Sequence, residues 1–487
     1  MAQHFDVLII GAGISGIGSA CHLKTQLPGK SFAVLEAHES FGGTWLIHRY
    51  PGIRSDSDLF TFGYRFKPWE GPPIASGAEI MRYLGEVIEE YALGPQIRYG
   101  RRVVSADWRS AERHWAVRVA VAGSEEIEEY TAHFLWSCAG YYRHDQGYTP
   151  DWPGLADFAG RLIHPQAWPE DVDLSDKRVV VIGSGATAAT LVPALAGKCG
   201  SLTMLQRSPT YFYPGSNRNE LAETLRGLDV DPAWIHEIVR RKVLADQKVA
   251  TDLALAYPAA AKQMLIEGVR EQAGPGVDIE THFTPRYDPW RQRIAFAPDG
   301  DLFKALKSGA FEIVTDRIEK FVPEGIVLES GRTLEADVVV SATGFNLAVL
   351  GDVTLHVDGA PVDISSEMTW RGVMMTGVPN LVWTYGYFRA SWTLRVDLLG
   401  DFMCRLLRHM AANGWQTVEA APRAHEQGMV RTPWMEGQDF APGYMLRGGH
   451  ILPRRGEGPE WTHTQDYWTE RDELPKIDLT ETPLTFG

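Results

Sequence analysis

Short runs that are apolar at every position punctuate the chain, and each ends in glycine or in a charged residue. Val7-Leu8-Ile9-Ile10 has the pattern of a strand buried on both faces in a parallel sheet. It leads into Gly11-Ala12-Gly13-Ile14-Ser15-Gly16, and Ile17 to Leu23 reads as the start of a helix. A second run, Ser31-Phe32-Ala33-Val34-Leu35, stops at Glu36. The same order returns at Arg178-Val179-Val180-Val181-Ile182, then Gly183-Ser184-Gly185-Ala186-Thr187-Ala188, then Ser201 to Leu205 followed by Gln206-Arg207. Both stretches predict strand, glycine turn, helix and strand in sequence. Elsewhere the period changes. Trp115, Val117, Val119 and Val121 alternate with polar or small residues, which predicts a β-meander. Leu221 to Leu225 and Trp234 to Val239 repeat at helical spacing. Ile318 to Phe321 and Gly325 to Leu328 read as strands, while Phe134 to Gly140 and Ala336 to Gly344 read as buried strands ending in glycine turns.

This pattern predicts an α/β fold with two Rossmann-like dinucleotide-binding domains. The first domain occupies residues 1–145. The second occupies 146–345, enters through the turn-like Asp151-Trp152-Pro153-Gly154, and carries a helical insertion at about 216–280 that is expected to cap the cleft. Residues 346–487 are expected to return to the first domain and add a tail.

The glycine turns carry the first chemistry. Gly11 permits the tight turn, Gly13 lets backbone approach a pyrophosphate, and Gly16 allows close helix–strand packing. A helix start offers N–H groups and partial positive charge to phosphate. Glu36 stands where a carboxylate suits a ribose diol and repels a 2′-phosphate. In the second unit Gly183, Gly185 and Thr187 precede Ala188, which replaces the third glycine, and the next strand ends in Arg207 rather than an acid. A cation there suits the 2′-phosphate of NADP. The assignment is FAD at the first site and NADPH at the second.

Composition narrows the class. The chain has 487 residues, 44% of them apolar and 22% charged, as globular proteins do. Its net charge of −15 disfavours nucleic acid or an anionic membrane as partner. Cys21, Cys138, Cys199 and Cys404 form no C-x-x-C pair, so neither a redox disulfide nor a zinc or other metal site is indicated. No apolar run approaches the roughly 20 residues needed to span a bilayer. The first strand begins too early for a signal peptide, so a cytoplasmic enzyme is expected.

Between the two units, Phe158-Ala159-Gly160-Arg161-Leu162-Ile163-His164-Pro165-Gln166-Ala167-Trp168-Pro169 has the spacing F-x-G-x-x-x-H-x-x-x-W. Gly42-Gly43-Thr44-Trp45 through Tyr50-Pro51-Gly52 to Asp56 fits G-G-x-W-x-x-x-x-Y-P-G-x-x-x-D. Together these resemble the signatures of type I Baeyer–Villiger flavin monooxygenases. The blocks Tyr50 to Asp58, Val181 to Ala188, Leu205 to Tyr211, Gly300 to Ala305 and Ala390 to Leu394 are similar to the ethionamide-activating subgroup of actinobacteria. The resemblance spans nearly the whole chain, thinning in the insertion and after about residue 415.

The resemblance implies a reaction in which NADPH reduces FAD, O2 adds to give a C4a-peroxide, and a ketone becomes an ester or lactone. Sulfoxidation of thioethers is expected as a side activity. Such chemistry calls for a fixed cation to stabilise developing oxyanion charge, and arginine stays protonated. Thr284 to Arg293 offers Arg286, Arg291 and Arg293; the resemblance selects Arg293, with Asp56 as its orienting partner. By the same resemblance Thr44 and Trp45 contact the flavin, His164 and Trp168 belong to the connection between domains, and Thr343-Gly344 lies at the hinge. Trp392 is a candidate for the substrate pocket. Two other readings stay open on the residues alone: an N- or S-oxygenating flavin monooxygenase, whose signature ends in an aromatic and lysine rather than Trp168-Pro169, and a nucleotide-binding redox sensor without turnover.

Overall fold

The computed structural model describes residues 2–436, 440 and 442–487. Among them, the first apolar run lies within the strand Gln3–Ile10. It pairs in parallel with Phe32–Leu35 on one side and Ile127–Ser137 on the other. The run is buried on both faces, and its strand is an interior one, third from one edge of a nine-stranded sheet. The alternating region forms the antiparallel strands Arg101–Arg109, His114–Val121 and Ile127–Ser137, with Trp115, Val117 and Val119 buried. The late chain adds Thr354–Val357 and Leu381–Trp383 to this same sheet. It also adds the helix Trp392–Asn413, which packs against the first Rossmann helix, Ile14–Gln26.

The second sheet is parallel throughout, in the order Glu312–Thr315, Ser201–Gln206, Arg178–Ile182, Val338–Ser341, Arg161–Ile163. The chain crosses between the two sheets twice. Those crossings, Tyr142–Gly147 and Phe345–Leu347, pair antiparallel with each other.

The insertion folds as helices Glu220–Gly227, Pro232–Ala256 and Pro258–Ala273. The expectation that it caps the cleft is corrected: among the described residues, none from 216–280 lines it. Its apolar stripe is already committed elsewhere. Ala222, Ile235, Val239 and Leu244 join the core beneath the first sheet, while Val269 and Ala273 join the core of the second. Polar groups fix the docking. Buried Arg240 donates to the carbonyls of Phe60 (2.9 Å), Thr61 (3.3 Å) and Gly63 (2.9 Å), and to Asp397 (3.4 Å). His236 accepts from the Trp69 amide (3.1 Å) and donates to the Tyr64 carbonyl (3.2 Å). The insertion is a strap that joins the two domains.

Candidate active site

Each glycine turn brings a helix start to a common cleft of about 1220 Å³. Gly11 (φ +99°) and Gly183 (φ +130°) hold left-handed backbone that only glycine adopts without strain. Gly13 and Gly185 cap the helices Ile14–Gln26 and Ala186–Leu195, and neither N-terminus has a side-chain cap or an acidic residue in its first turn. Uncapped N–H groups of that kind attract phosphate. Backbone at Gly185 is open, with nothing within 4 Å of where a Cβ would stand. Gly16 and Ala188 stay off the cleft. A Cβ at Gly16 would fall 1.8 Å from the Gly11 carbonyl oxygen, and Ala188 is wholly buried, so both act through packing.

Glu36 lines the cleft at the end of its strand. Its carboxylate accepts from the amides of Ala12 (2.7 Å) and His38 (2.8 Å), which holds it at the first turn. Arg207 is exposed and lines the cleft just past the strand Ser201–Gln206. Thr44 and Trp45 open a short helix that faces the same cleft, as does Thr187.

Arg293 and Asp56 come together from distant parts of the chain, with Nη1 donating to Oδ2 at 2.7 Å. Both line the cleft, whereas Arg286 and Arg291 are exposed and lie outside its lining. Burial pulls the Arg293 pKa down, but the Asp56 carboxylate and the surrounding phenols outweigh it and hold the guanidinium above its ordinary value. Arg293 is thus a fixed cation.

Beside it stands an aromatic wall that sequence reasoning missed. The Tyr141 and Tyr142 hydroxyls are 2.6 Å apart, and Tyr444 packs against both rings. Burial first, and neighbouring phenols second, raise the pKa of Tyr142 and of Tyr444, so both stay protonated. Trp392 stacks on Tyr141 at 5.0 Å between centroids and donates from Nε1 to Ser15 Oγ at 2.7 Å. It therefore lines the cleft at the first helix start. Tyr141-Tyr142 follows a strand-ending Gly140, which could have flagged it. Tyr444 has no comparable signal.

His164 sits at the crossings. Its Nε2 donates to the Gly344 carbonyl (3.1 Å) and its Nδ1 accepts from the Gln166 amide (3.2 Å). A Cβ on Gly147 would overlap its ring at 2.1 Å, so the histidine clasps both crossing strands. Burial lowers its pKa, partly offset by the Gly344 carbonyl, and the ring is neutral with a defined tautomer. Thr343 donates to the Tyr148 carbonyl at 2.6 Å. Trp168 is half-buried against the core of the second sheet, away from the cleft. Arg447, also missed, lies 3.4 Å over the Tyr148 ring and donates to the Phe345 carbonyl at 3.3 Å.

Residues 9–68 match the family described as NAD(P)-binding Rossmann-like domain, and residues 66–212 match flavin-binding monooxygenase-like. The protein named MymA from Mycobacterium tuberculosis is 45% identical, with 100% of this chain and 97% of that one covered. The FAD-containing monooxygenase EthA of the same organism is 44% identical, covering 96% of this chain and 94% of its own. The chain belongs to the FAD-containing monooxygenases. This monooxygenase is an enzyme that uses FAD. Its fold is that of a steroid monooxygenase with NADP bound (TM-score 0.79, 22% identity, 99% of each chain). Cyclohexanone monooxygenase in an open form is similarly close (TM-score 0.77, 20% identity, 100% of each chain). The monooxygenase's own residues fit two dinucleotides, since two uncapped helix starts, one of them behind open backbone at Gly185, border one cleft. No helix among the described residues is long and apolar enough to cross a membrane.

Proposed function

We propose that this monooxygenase converts ketones to esters or lactones, consuming NADPH and O2 and releasing water and NADP, with thioether sulfoxidation as a side activity. The observation that carries the reading is the Arg293–Asp56 pair in the cleft shared by both nucleotide turns. When bound, FAD reduced by NADPH activates O2. The chain's residues do the rest. Arg293 meets the negative charge that develops on the carbonyl oxygen, and Asp56 aims it. Tyr141, Tyr142, Tyr444 and Trp392 wall off water and present protonated phenols to an apolar ketone. Glu36 takes the adenosine ribose of FAD, and Arg207 the 2′-phosphate of NADPH.

Domain boundaries at 145/146 and 345/346 are part of this reading, with His164, Thr343 and Gly344 at the hinge and Trp168 anchoring the connection on the core of the second sheet. The fold is shared with a cyclohexanone monooxygenase determined with cyclohexanone bound, which supports ketones as the substrate class. All four cysteines are free thiols, in keeping with a cytoplasmic protein.

The test is turnover of aliphatic and aryl ketones under 18O2. Ester carrying one labelled oxygen, with NADPH oxidation that depends on ketone, is expected. Oxygenation of thioethers and amines with no ester from any ketone would overturn the assignment and leave a heteroatom oxygenase.

A further inference from the structure

Two sequence blocks, Tyr50 to Asp58 and Gly300 to Ala305, have been given no role so far beyond Asp56, although Tyr50, Ile53 and Arg54 also line the cleft. The structure brings them together. Arg54 Nη1 meets Asp301 Oδ2 at 2.5 Å, with side chains only 17% and 29% exposed. Arg54 also reaches the Ala189 carbonyl at 3.4 Å, on the second Rossmann helix. The second oxygen of Asp301 accepts from the Leu302 amide at 2.8 Å, so the carboxylate is held at the start of the helix Asp301–Lys307.

The rest of the loop follows the same direction. Tyr50 is buried in the core of the second sheet. Gly52 lies so close to the helix Ala186–Leu195 that a Cβ there would stand 2.6 Å from Ala194 Cβ. Yet Ser55 and Ile53 hydrogen-bond to Ala75 (2.8 Å) and Gly77 (2.9 Å) of the first domain. The loop is a seam: it is part of the FAD domain by chain, and docked on the NADP domain by contact.

Asp56 lies two residues past Arg54, and Arg293 precedes the strand Ala295–Pro298 that pairs with Phe212–Gly215 of the NADP domain. Resting on the ketone-oxygenating reading above, we infer that Arg54 and Asp301 are positioning residues that clamp the Asp56 loop to the NADP domain. The clamp keeps the Asp56–Arg293 hydrogen bond intact while the domains shift. A charge-assisted, two-point contact from arginine suits that task, because its planar fork fixes direction as well as distance.

The experiment compares holoenzyme variants at Asp301. Asp301→Asn keeps shape and removes the charge, and Asp301→Glu keeps the charge. For Asp301→Asn we expect FAD content to be unchanged and ester formed per NADPH to fall about tenfold, with hydrogen peroxide making up the difference. Asp301→Glu should recover most of the yield. In an Asp56→Ala background, Asp301→Asn should cause no further loss, because the clamp acts through Asp56. Amide hydrogen exchange over 50–58 should quicken about tenfold in Asp301→Asn while the helix Gly77–Glu90 is unaffected. Wild-type ester yield with unchanged loop exchange would overturn the inference. So would a full additional loss on top of Asp56→Ala, which marks a general stability effect. Should Asp301→Asn not fold, Arg54→Lys carries the same readouts. If the wild-type enzyme makes no ester, the reaction assignment fails, and the exchange measurement alone decides the clamp.

Discussion

Arg293 and Arg207 are both cleft-lining arginines, but their surroundings give them different work. Arg293 is paired, flanked by phenols and fixed in direction, which suits the proposed role of meeting a charge that appears during reaction. Arg293→Ala should abolish ester formation while NADPH still reduces the flavin, with electrons lost as hydrogen peroxide. Single-turnover spectra and product analysis separate the two steps. Sulfoxidation should suffer less, because it develops no carbonyl oxyanion. Arg207 is exposed on the cleft, and in the proposed role it meets the 2′-phosphate, a charge that is always present. Arg207→Ala should raise the KM for NADPH about ten- to a hundredfold, as expected for a charge-assisted contact of roughly 1.5–3 kcal/mol, and leave that for NADH nearly unchanged. Equal losses with both cofactors would remove Arg207 from the phosphate site.

At the scale of elements, what was legible in the sequence was local. Val7 to Ile10 and Val179 to Ile182 are uniformly apolar because both faces of a parallel strand are buried. Trp115, Val117 and Val119 alternate because one face of the meander is. The second signature likewise carries Asp56 and the family resemblance selects Arg293, both as residue types, and the structure supplies their contact. What the sequence did not disclose is long-range. The stripe of Ile235, Val239 and Leu244 announces an amphipathic helix without naming the surface it meets, hence the mistaken expectation of a cap over the cleft. Tyr444 reaches the site from the tail, where no local pattern reports its destination. The strap is testable through its anchor. Arg240→Met leaves three carbonyls and the Asp397 carboxylate short of a donor in a buried setting, and should cost about 3–5 kcal/mol in denaturant unfolding. At the crossings, His164→Ala removes the clasp between strands. Turnover should slow severalfold with FAD retained, and a wild-type ketone-oxidation rate would reduce His164 to filler.

For the molecule as a whole, buried histidines set the response to acid. Burial pushes His48 and His236 down to about 4, with the Arg240 guanidinium acting in the same direction on His236, and pushes His463 down to about 3. Each is neutral when folded but takes up a proton near its ordinary pKa when unfolded. Their contribution is therefore complete above pH 6.5 and drains away as pH falls toward 4. At about 1.36 kcal/mol per pKa unit, each withdraws at most on the order of 3 kcal/mol. His22 runs the other way. Asp397 and Asp401 raise its pKa against the pull of burial, so its contribution is present in acid and fades as pH rises past its folded value. That contribution is already complete by pH 6.5 and stays constant below it, so the other histidines should lower the melting temperature steeply between pH 6.5 and 4. A melting temperature flat across that window would show that these rings are hydrated.

The strap also decides how this enzyme can be cut and recombined. By chain order, the helix Pro232–Ala256 belongs to the nucleotide-binding half that lies between the two crossings. By packing, its apolar face belongs to the other half. A chimaera that exchanges the whole stretch between crossings with a relative would import a foreign helix onto a native core, and should come out of cells as aggregate. Moving the joints to the exposed loops around residues 216 and 257, so that the first two insertion helices stay with their packing partners, should return the exchange to soluble, flavin-loaded protein.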